Sequence, residues 1–337
     1  MITQAVLDTL FFPLQTGALR PIPASARCAF LNAHQHNALE KIPNLSLEQP
    51  FKPSYNSLSR TDLCSPLITE DNSFDYVFIA LPKNQIESEY LIARGLTLLK
   101  AKGTIIAAAD NKAGGSRIAK TLKKFGLDNP QSLSKNKAKC VWVDIETLNT
   151  SAVKTAIDQG AQTSKNGYCT QPGIYGWNKI DKGSKILINY IPEDLKGKGA
   201  DFGCGFGYLS KETLNKAQKI KHLTLIEADK RAIECAEFNL KSYTDIISTN
   251  WQDITIGTNV KNLDFIIMNP PFHEGKNANP AIGMAFIKSA YDALKKHGYL
   301  YMVANIQLPY EDTLNSLFYS TEKLHEGDGF KVYKAMK

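Results

Sequence analysis

Long apolar runs and C-x-x-C cysteine pairs are missing from these 337 residues. Its longest apolar stretches are of the size of Val77–Leu81, far short of the ~20 residues that cross a bilayer, so no membrane span and no membrane partner are expected. No basic segment leads into an extended apolar core and a small-residue cleavage site at the N-terminus, so no secretory signal is expected. The six cysteines (28, 64, 140, 169, 204 and 235) form no C-x-x-C pair. The expectation is reduced thiols, a cytoplasmic location and no metal site. With 43% hydrophobic and 22% charged residues, the chain is too apolar to be disordered and too long and cysteine-poor for a small disulfide scaffold. At roughly 100–200 residues per domain, the length implies two domains, each able to bury a core.

The net charge of +7 is modest, but it is unevenly placed. Between Lys100 and Lys139 stand ten Lys/Arg against Asp110 and Asp128, which leaves +8 in one stretch. Concentrated positive charge suits a polyanionic partner, because neutralising phosphates releases counterions. A solvated lysine-rich face is the plainer alternative.

Both halves alternate short apolar strands with helical segments, the pattern of an α/β fold with a mostly parallel sheet. In the first half, strands are predicted at 28–32, 74–81, 104–109 and 138–144, with helices over 87–99 and 116–124. Residues 149–170 are polar and rich in small residues and read as a linker, which places the domains at 1–155 and 156–337. In the second half, strands are predicted at 199–202, 222–227, 263–268 and 299–304, with helices over 208–216, 230–240 and 281–295. The halves also resemble each other: FDYVFIALP, a helix, then LLKAKGTIIAAADN echoes LDFIIMNPP, a helix, then ALKKHGYLYMVAN. Asp75 matches Asp264 and Gly103 matches Gly298, an internal duplication. At the strand end the first copy has Ala80-Leu81-Pro82 where the second has Asn269-Pro270-Pro271, so one copy has lost its polar site chemistry.

Two motifs carry chemistry. In Asp201-Phe202-Gly203-Cys204-Gly205-Phe206-Gly207 a strand feeds a glycine turn and then a helix, so a ligand can approach the main chain closely. The third Gly comes one residue earlier than in the dinucleotide fingerprint, and Asp201 before the turn suits a cationic group. Glu227 ends the next strand, where an acid can accept hydrogen bonds from both ribose hydroxyls. The second motif, Asn269-Pro270-Pro271-Phe272, falls at the carboxyl end of a buried strand, where α/β sheets bind ligands. The Asn269 side-chain oxygen and the Pro270 carbonyl can both accept hydrogen bonds from one exocyclic amine and stabilise positive charge developing on its nitrogen. Phe272 offers a face on which a base can stack.

These blocks resemble those of the amino-methylating class I S-adenosylmethionine-dependent methyltransferases. More closely, PGIYGWNKIDKGSKILI (172–188), DFGCGFGYLS (201–210), LTLIEADKRAIE (223–234), IIMNPPFHEG (266–275), VANIQLPYEDTL (303–314) and FKVYKAM (330–336) resemble the ribosomal RNA small subunit methyltransferase C family. The first half resembles it more weakly, through FDYVFIALPKNQ and GTIIAAADNKAG. The resemblance implies two tandem Rossmann-like methyltransferase domains with mostly parallel sheets, the N-terminal one degenerate and serving as an RNA-docking scaffold. It implies transfer of a methyl group from S-adenosylmethionine to the N2 amine of a guanine in 16S ribosomal RNA, guanine-1207 in the family, on the 30S subunit, by a monomer. Asp201, Gly203 and Gly205 would line the methionine end of the cofactor and Glu227 its ribose. Asn250, following the third strand, would contact adenine, with Trp251 or Asp253 helping. Gly173 to Trp177 and Asp181 would close over the cofactor, and Asn269, Pro270, Pro271 and Phe272 would hold the guanine.

Glu227 stands where Asp is commoner in that family. His273, beside the tetrad, is a candidate proton acceptor but more often such a histidine is a loop residue. Cys204, inside the turn, reads as a small packing residue. Alternative readings are the same chemistry on large-subunit RNA guanine, on adenine N6 or on glutamine, or an RNA-binding assembly factor without turnover.

Overall fold

Strands buried on both faces read as unbroken apolar runs, and FDYVFIAL and LDFIIM are runs of that kind. In the computed structural model of the protein, each lies at the middle of its own seven-stranded sheet. The structure describes residues 2–271, 273, 274 and 277–337, and the chain divides into two units, Met1–Gln162 and Thr163–Lys337.

The first unit runs α1 (Gln4–Gln15), β1 (Cys28–Leu31), β2 (Leu45–Glu48), α2 (Lys52–Asn56), β3 (Cys64–Ser65), β4 (Phe74–Ala80), α3 (Gln85–Leu98), β5 (Leu99–Asp110), α4 (Ile118–Lys124), β6 (Gln131–Lys135), β7 (Ala138–Asp144) and α5 (Thr150–Ile157). Its sheet order is β3-β2-β1-β4-β5-β7-β6, parallel from β3 to β5 and antiparallel at β7 and β6. A short ribbon, β8 (Gln162–Thr163) with β9 (Cys169–Thr170), follows in the chain. Then come α6 (Lys182–Tyr190), β10 (Lys196–Phe202), α7 (Tyr208–Lys216), β11 (Lys219–Glu227), α8 (Lys230–Asn239), β12 (Ile247–Trp251), β13 (Leu263–Met268), the hairpin strands β14 (His273–Glu274) and β15 (Asn277–Ala278), α9 (Pro280–Ala293), β16 (Leu294–Asn305), α10 (Glu311–Leu317), β17 (Ser320–Gly327) and β18 (Phe330–Met336). The second sheet is ordered β12-β11-β10-β13-β16-β18-β17, the same topology position for position.

Alternation along the strands builds a core on each face. In β4, Val77 and Ile79 join Leu91, Leu96 and Leu122 on one face, while Tyr76, Phe78 and Ala80 join Leu10 and Phe11 on the other. In β13, Ile266 and Met268 pack with α9, and Phe265 and Ile267 pack with Leu187 and Leu214. Helix α5 occupies part of the stretch expected to be a linker, and Val153 and Ala156 seal the first core.

The duplication extends to individual contacts. Asp75 accepts a hydrogen bond from the Arg27 backbone at 2.8 Å and pairs with Lys100; Asp264 accepts from the Lys198 backbone at 2.7 Å and pairs with Lys295. Left-handed Lys102 and His297 precede Gly103 and Gly298 in the two copies. Helices α3 and α9 are both 14 residues long, with caps at Asn84 and Asn279. The extra length of the second copy therefore lies in the strand-to-helix connection, residues 269–279 against 81–84.

Candidate functional site

The glycine turn after β10 is held by the neighbouring strand. Gly203 and Cys204 donate backbone hydrogen bonds to the Ile226 carbonyl at 2.8 and 3.2 Å, and Gly207 donates to the Cys204 carbonyl. Gly205 has φ +54° with nothing within 4 Å of where a Cβ would stand, so its main chain faces open space. Gly207 has φ +85°, and a Cβ there would come within 2.6 Å of Leu240, which welds the turn to the end of α8.

Asp201 lies under this turn and is fully buried. Its Oδ2 accepts the Ser210 hydroxyl of α7 at 2.7 Å, while Oδ1 has no partner among the described residues. A carboxylate so placed resists ionisation: loss of solvent, reinforced by the charge of Glu227, pushes Asp201 up to about 7.

Glu227, the last residue of β11, accepts from the Gly205 backbone at 2.9 Å through one oxygen, and from the Ala228 and Asp229 backbones at 2.6 and 3.0 Å through the other. Loss of solvent raises its pKa, and these amide donors oppose the rise. Asn250 does not follow the third strand as expected; it lies within β12, opposite Ile226, because the ladder runs on to Trp251 opposite Glu227. The Trp251 indole donates to the Ala228 carbonyl at 2.8 Å. Asp253 is spent on a local cap, accepting the backbone and hydroxyl of Thr255.

Asn269 emerges from β13, with Pro270 buried and Pro271 exposed beyond it. Its Nδ2 donates to Asp181 Oδ1 at 2.7 Å and to Ser184 Oγ at 2.9 Å. A Cβ on Gly203 would stand 3.3 Å from Phe286 and 4.0 Å from Pro271, so the turn and the tetrad lie side by side. Phe272 lies outside the described residues, as does the side chain of His273 in β14.

The segment before β10 packs on the turn: Tyr168 and Ile174 form a buried cluster with Phe206, Ala232 and Cys235, flanked by Trp177. Asn239 of α8 clamps it there, donating to the carbonyls of Cys169 and Phe206 at 2.8 Å and accepting from the Cys169 backbone at 2.7 Å. Ser184, Ser210 and Asn239 escaped the sequence reading. Only a buried polar residue on an apolar helix face, as at Asn239, left any trace.

Strand register maps the same positions onto the first unit. Leu31 faces Ile79 as Phe202 faces Met268, so Phe30 stands for Asp201, Asn32 for Gly203, Gln49 for Glu227 and Ala80 for Asn269. Phe30 is fully buried against Phe11. Asn32 keeps the left-handed backbone (φ +53°), but its side chain donates to the Ala80 carbonyl at 2.7 Å. Gln49 donates to the Ala33 carbonyl and accepts from the Phe51 backbone. Asn32 and Gln49 are thus turned to neighbouring backbone, and no carboxylate or asparagine stands at the positions of Asp201, Glu227 and Asn269, so this copy is degenerate in chemistry as well as in motif.

The "Methyltransferase small domain" family model matches residues 165–334, and the "Methyltransferase small domain N-terminal" model matches 48–142. Among curated relatives, the "Ribosomal RNA small subunit methyltransferase C" of Shewanella pealeana is 30% identical over 279 residues, 79% of each chain. Those of Shewanella halifaxensis (29% over 281 residues, 80% of each chain) and Erwinia tasmaniensis (30% over 267 residues, 76% of this chain and 74% of that one) are similar. A solved T. thermophilus 16S rRNA N2 G1207 methyltransferase, in complex with AdoMet and guanosine, superposes with a TM-score of 0.80 at 18% identity, covering 98% of this chain and 91% of that one. That likeness extends over both units and bears on the fold.

Proposed function

This chain belongs to the ribosomal RNA small subunit methyltransferase C family, and we propose that it methylates the N2 amine of a guanine in 16S ribosomal RNA, with S-adenosylmethionine as donor. The residues present fit that cofactor. The orphaned Asp201 Oδ1 suits its ammonium group, the open main chain at Gly205 with the neighbouring Gly203 suits its methionine portion, and Glu227 suits its ribose hydroxyls. Asn250 and Trp251, opposite Ile226 and Glu227 in the neighbouring strand, are the proposed adenine contacts. When bound, the cofactor supplies an electrophilic methyl group.

The observation that carries the reading is Asn269. Both its amide hydrogens are engaged by Asp181 and Ser184, and no described residue donates to its Oδ1. An acceptor fixed at the mouth of the sheet, beside the Pro270 carbonyl, takes hydrogens from an amine, directs the nitrogen lone pair and stabilises the positive charge that nitrogen acquires. Pro270, Pro271 and Phe272 would border the base. The protein's share of catalysis is orientation and electrostatics.

The first unit serves as the RNA-docking scaffold and the second as the catalytic one, acting as a monomer on the 30S subunit in the cytoplasm. The +8 stretch divides in space. Lys100 and Lys102 lie at the start of β5, roughly 30 Å of strand from Lys112 and Arg117 beyond its end. Lys137 joins the latter pair, because the Asn111 backbone donates to its carbonyl at 2.9 Å. Lys100 and Lys124 are already paired with Asp75 and Glu89. Exposed Lys112, Arg117 and Lys137 are therefore the phosphate contacts of choice.

The test is label transfer from S-adenosylmethionine to 30S subunits, free 16S RNA and 50S subunits, followed by nucleoside analysis. N2-methylguanosine from small-subunit RNA is expected. Label confined to 50S RNA would move the target, and cofactor binding without label in any RNA would overturn the catalytic reading.

A further inference from the structure

We propose that Asp181 is a positioning residue that locks the Asn269 amide with its oxygen toward the incoming amine. This rests on the reading that Asn269 receives an exocyclic amine. An asparagine side chain has opposite ends, and a half-turn about its last bond exchanges an acceptor for a donor. Left free, Asn269 would spend part of its time presenting N–H groups to the N–H groups of its substrate. A carboxylate only accepts, so the end held 2.7 Å from Asp181 Oδ1 is the NH2 end. Ser184 Oγ takes the second hydrogen at 2.9 Å. An amide that donates to a carboxylate is also polarised, which makes Oδ1 a better acceptor as charge builds on the amine.

Asp181 is itself fixed. It caps α6 by accepting from the Ser184 backbone at 3.0 Å, and its Oδ2 accepts the Tyr175 hydroxyl at 3.2 Å. The degenerate copy supplies a natural comparison. Its helix before the first strand, α1, is capped by Thr3, and the counterpart of Asn269 is Ala80. Where the asparagine is lost, the carboxylate that would aim it is lost too, although a capping residue remains. Capping alone therefore does not account for an aspartate at position 181.

Two variants separate aiming from capping. Asp181→Ser keeps a good N-cap but is too short to reach Asn269; Asp181→Asn keeps the cap and one acceptor oxygen without the charge. The readouts are kcat and KM on 30S RNA, cofactor Kd, the thermal midpoint and, in cofactor-free protein, the 15N side-chain amide signal of Asn269, assigned by its disappearance in Asn269→Ser. Asp181→Ser is expected to lower kcat by ~10–100-fold, well beyond any loss in cofactor affinity, and Asp181→Asn to recover part of the loss. The Asn269 amide protons should be shifted and slow to exchange in wild type and free-amide-like in Asp181→Ser. An unchanged amide signal, or a kcat that falls only in step with the thermal midpoint and cofactor Kd, would overturn the lock. Should wild-type protein methylate no RNA, the functional reading fails, and the amide signal still decides whether Asp181 holds Asn269.

Discussion

Cofactor binding should depend on pH through Asp201. Its carboxyl is fully buried, has one oxygen without a partner, and is pushed up to about 7 by loss of solvent and by Glu227. A cationic ligand needs the ionised form, and affinity is reduced by the fraction in that form. With a pKa near 7, about three-quarters of molecules are ionised at pH 7.5 and about one-tenth at pH 6, so Kd should rise roughly eightfold between them. The ligand's own ammonium group titrates near ~8 and leaves this window largely untouched. Calorimetry in two buffers of different ionisation enthalpy at pH 7 should detect about half a proton released per cofactor bound. Glu227→Gln removes a charge that raises the Asp201 pKa, so the pH step should move lower. A flat Kd from pH 7.5 to 6, with no proton released, would refute the assignment of Asp201 as the cation partner.

The same group makes a stability prediction of opposite sign. A carboxyl whose folded pKa lies above its unfolded value binds its proton more tightly when folded. It therefore stabilises the fold below about pH 4, and that stability is lost as pH rises toward 7, at a cost of roughly 4 kcal/mol if the full shift is realised. Asp201→Asn should consequently melt higher than wild type at pH 8, with the difference shrinking by pH 5, while binding cofactor poorly throughout.

Asn269→Ala should lower methyl transfer by ~10²–10³-fold with cofactor Kd unchanged, because it removes an acceptor used as charge develops; wild-type-like turnover would exclude it from the site. In the first unit, Arg94 pairs with both oxygens of buried Glu48 at 2.7 and 2.9 Å and also donates to the Ile68 carbonyl. Arg94→Met strands that carboxylate and should cost about 3–5 kcal/mol in denaturant unfolding. Changing Lys112, Arg117 and Lys137 together to Glu should flatten the salt dependence of RNA binding by at least ~2 in log–log slope, whereas Lys102→Glu, at the other end of β5, should leave it alone.

The centre of each sheet was legible because burial on both faces writes itself as FDYVFIAL and LDFIIM. The rims were not. Strands such as QSLSK (β6) and STEKLHEG (β17) are half-exposed, follow no apolar alternation and pair antiparallel at an edge, where tertiary context overrides composition. The candidate site residues Asp201, Glu227 and Asn269 stood out because a glycine turn, the end of the next strand and an Asn-Pro-Pro stop mark their positions in the sequence. Their supports did not, because Ser184, Ser210 and Asn239 are common helix residues whose role depends on which oxygen faces them. Likewise the +8 stretch was visible as a number, but the 12-residue strand at its start carries Lys100 and Lys102 away from Lys112 and Arg117.

The two copies separate what the sheet requires from what the reaction requires. At the amino ends of the strands they agree contact for contact: Asp75 with Arg27 and Lys100, Asp264 with Lys198 and Lys295. At the carboxyl ends they diverge in one direction. Phe30 buries its ring, Asn32 bonds to the Ala80 carbonyl, and Gln49 bonds to the Ala33 and Phe51 backbones. Among the described residues their counterparts leave Asp201 Oδ1 and Asn269 Oδ1 without a donor, while the Asn269 amide nitrogen is held by Asp181 and Ser184. Among the described residues Thr170, Thr213, Tyr310 and Thr321 also bury a hydroxyl without a partner, but Asp201 is the carboxylate of that set and precedes the glycine turn, which is what favours it as the proposed cation partner.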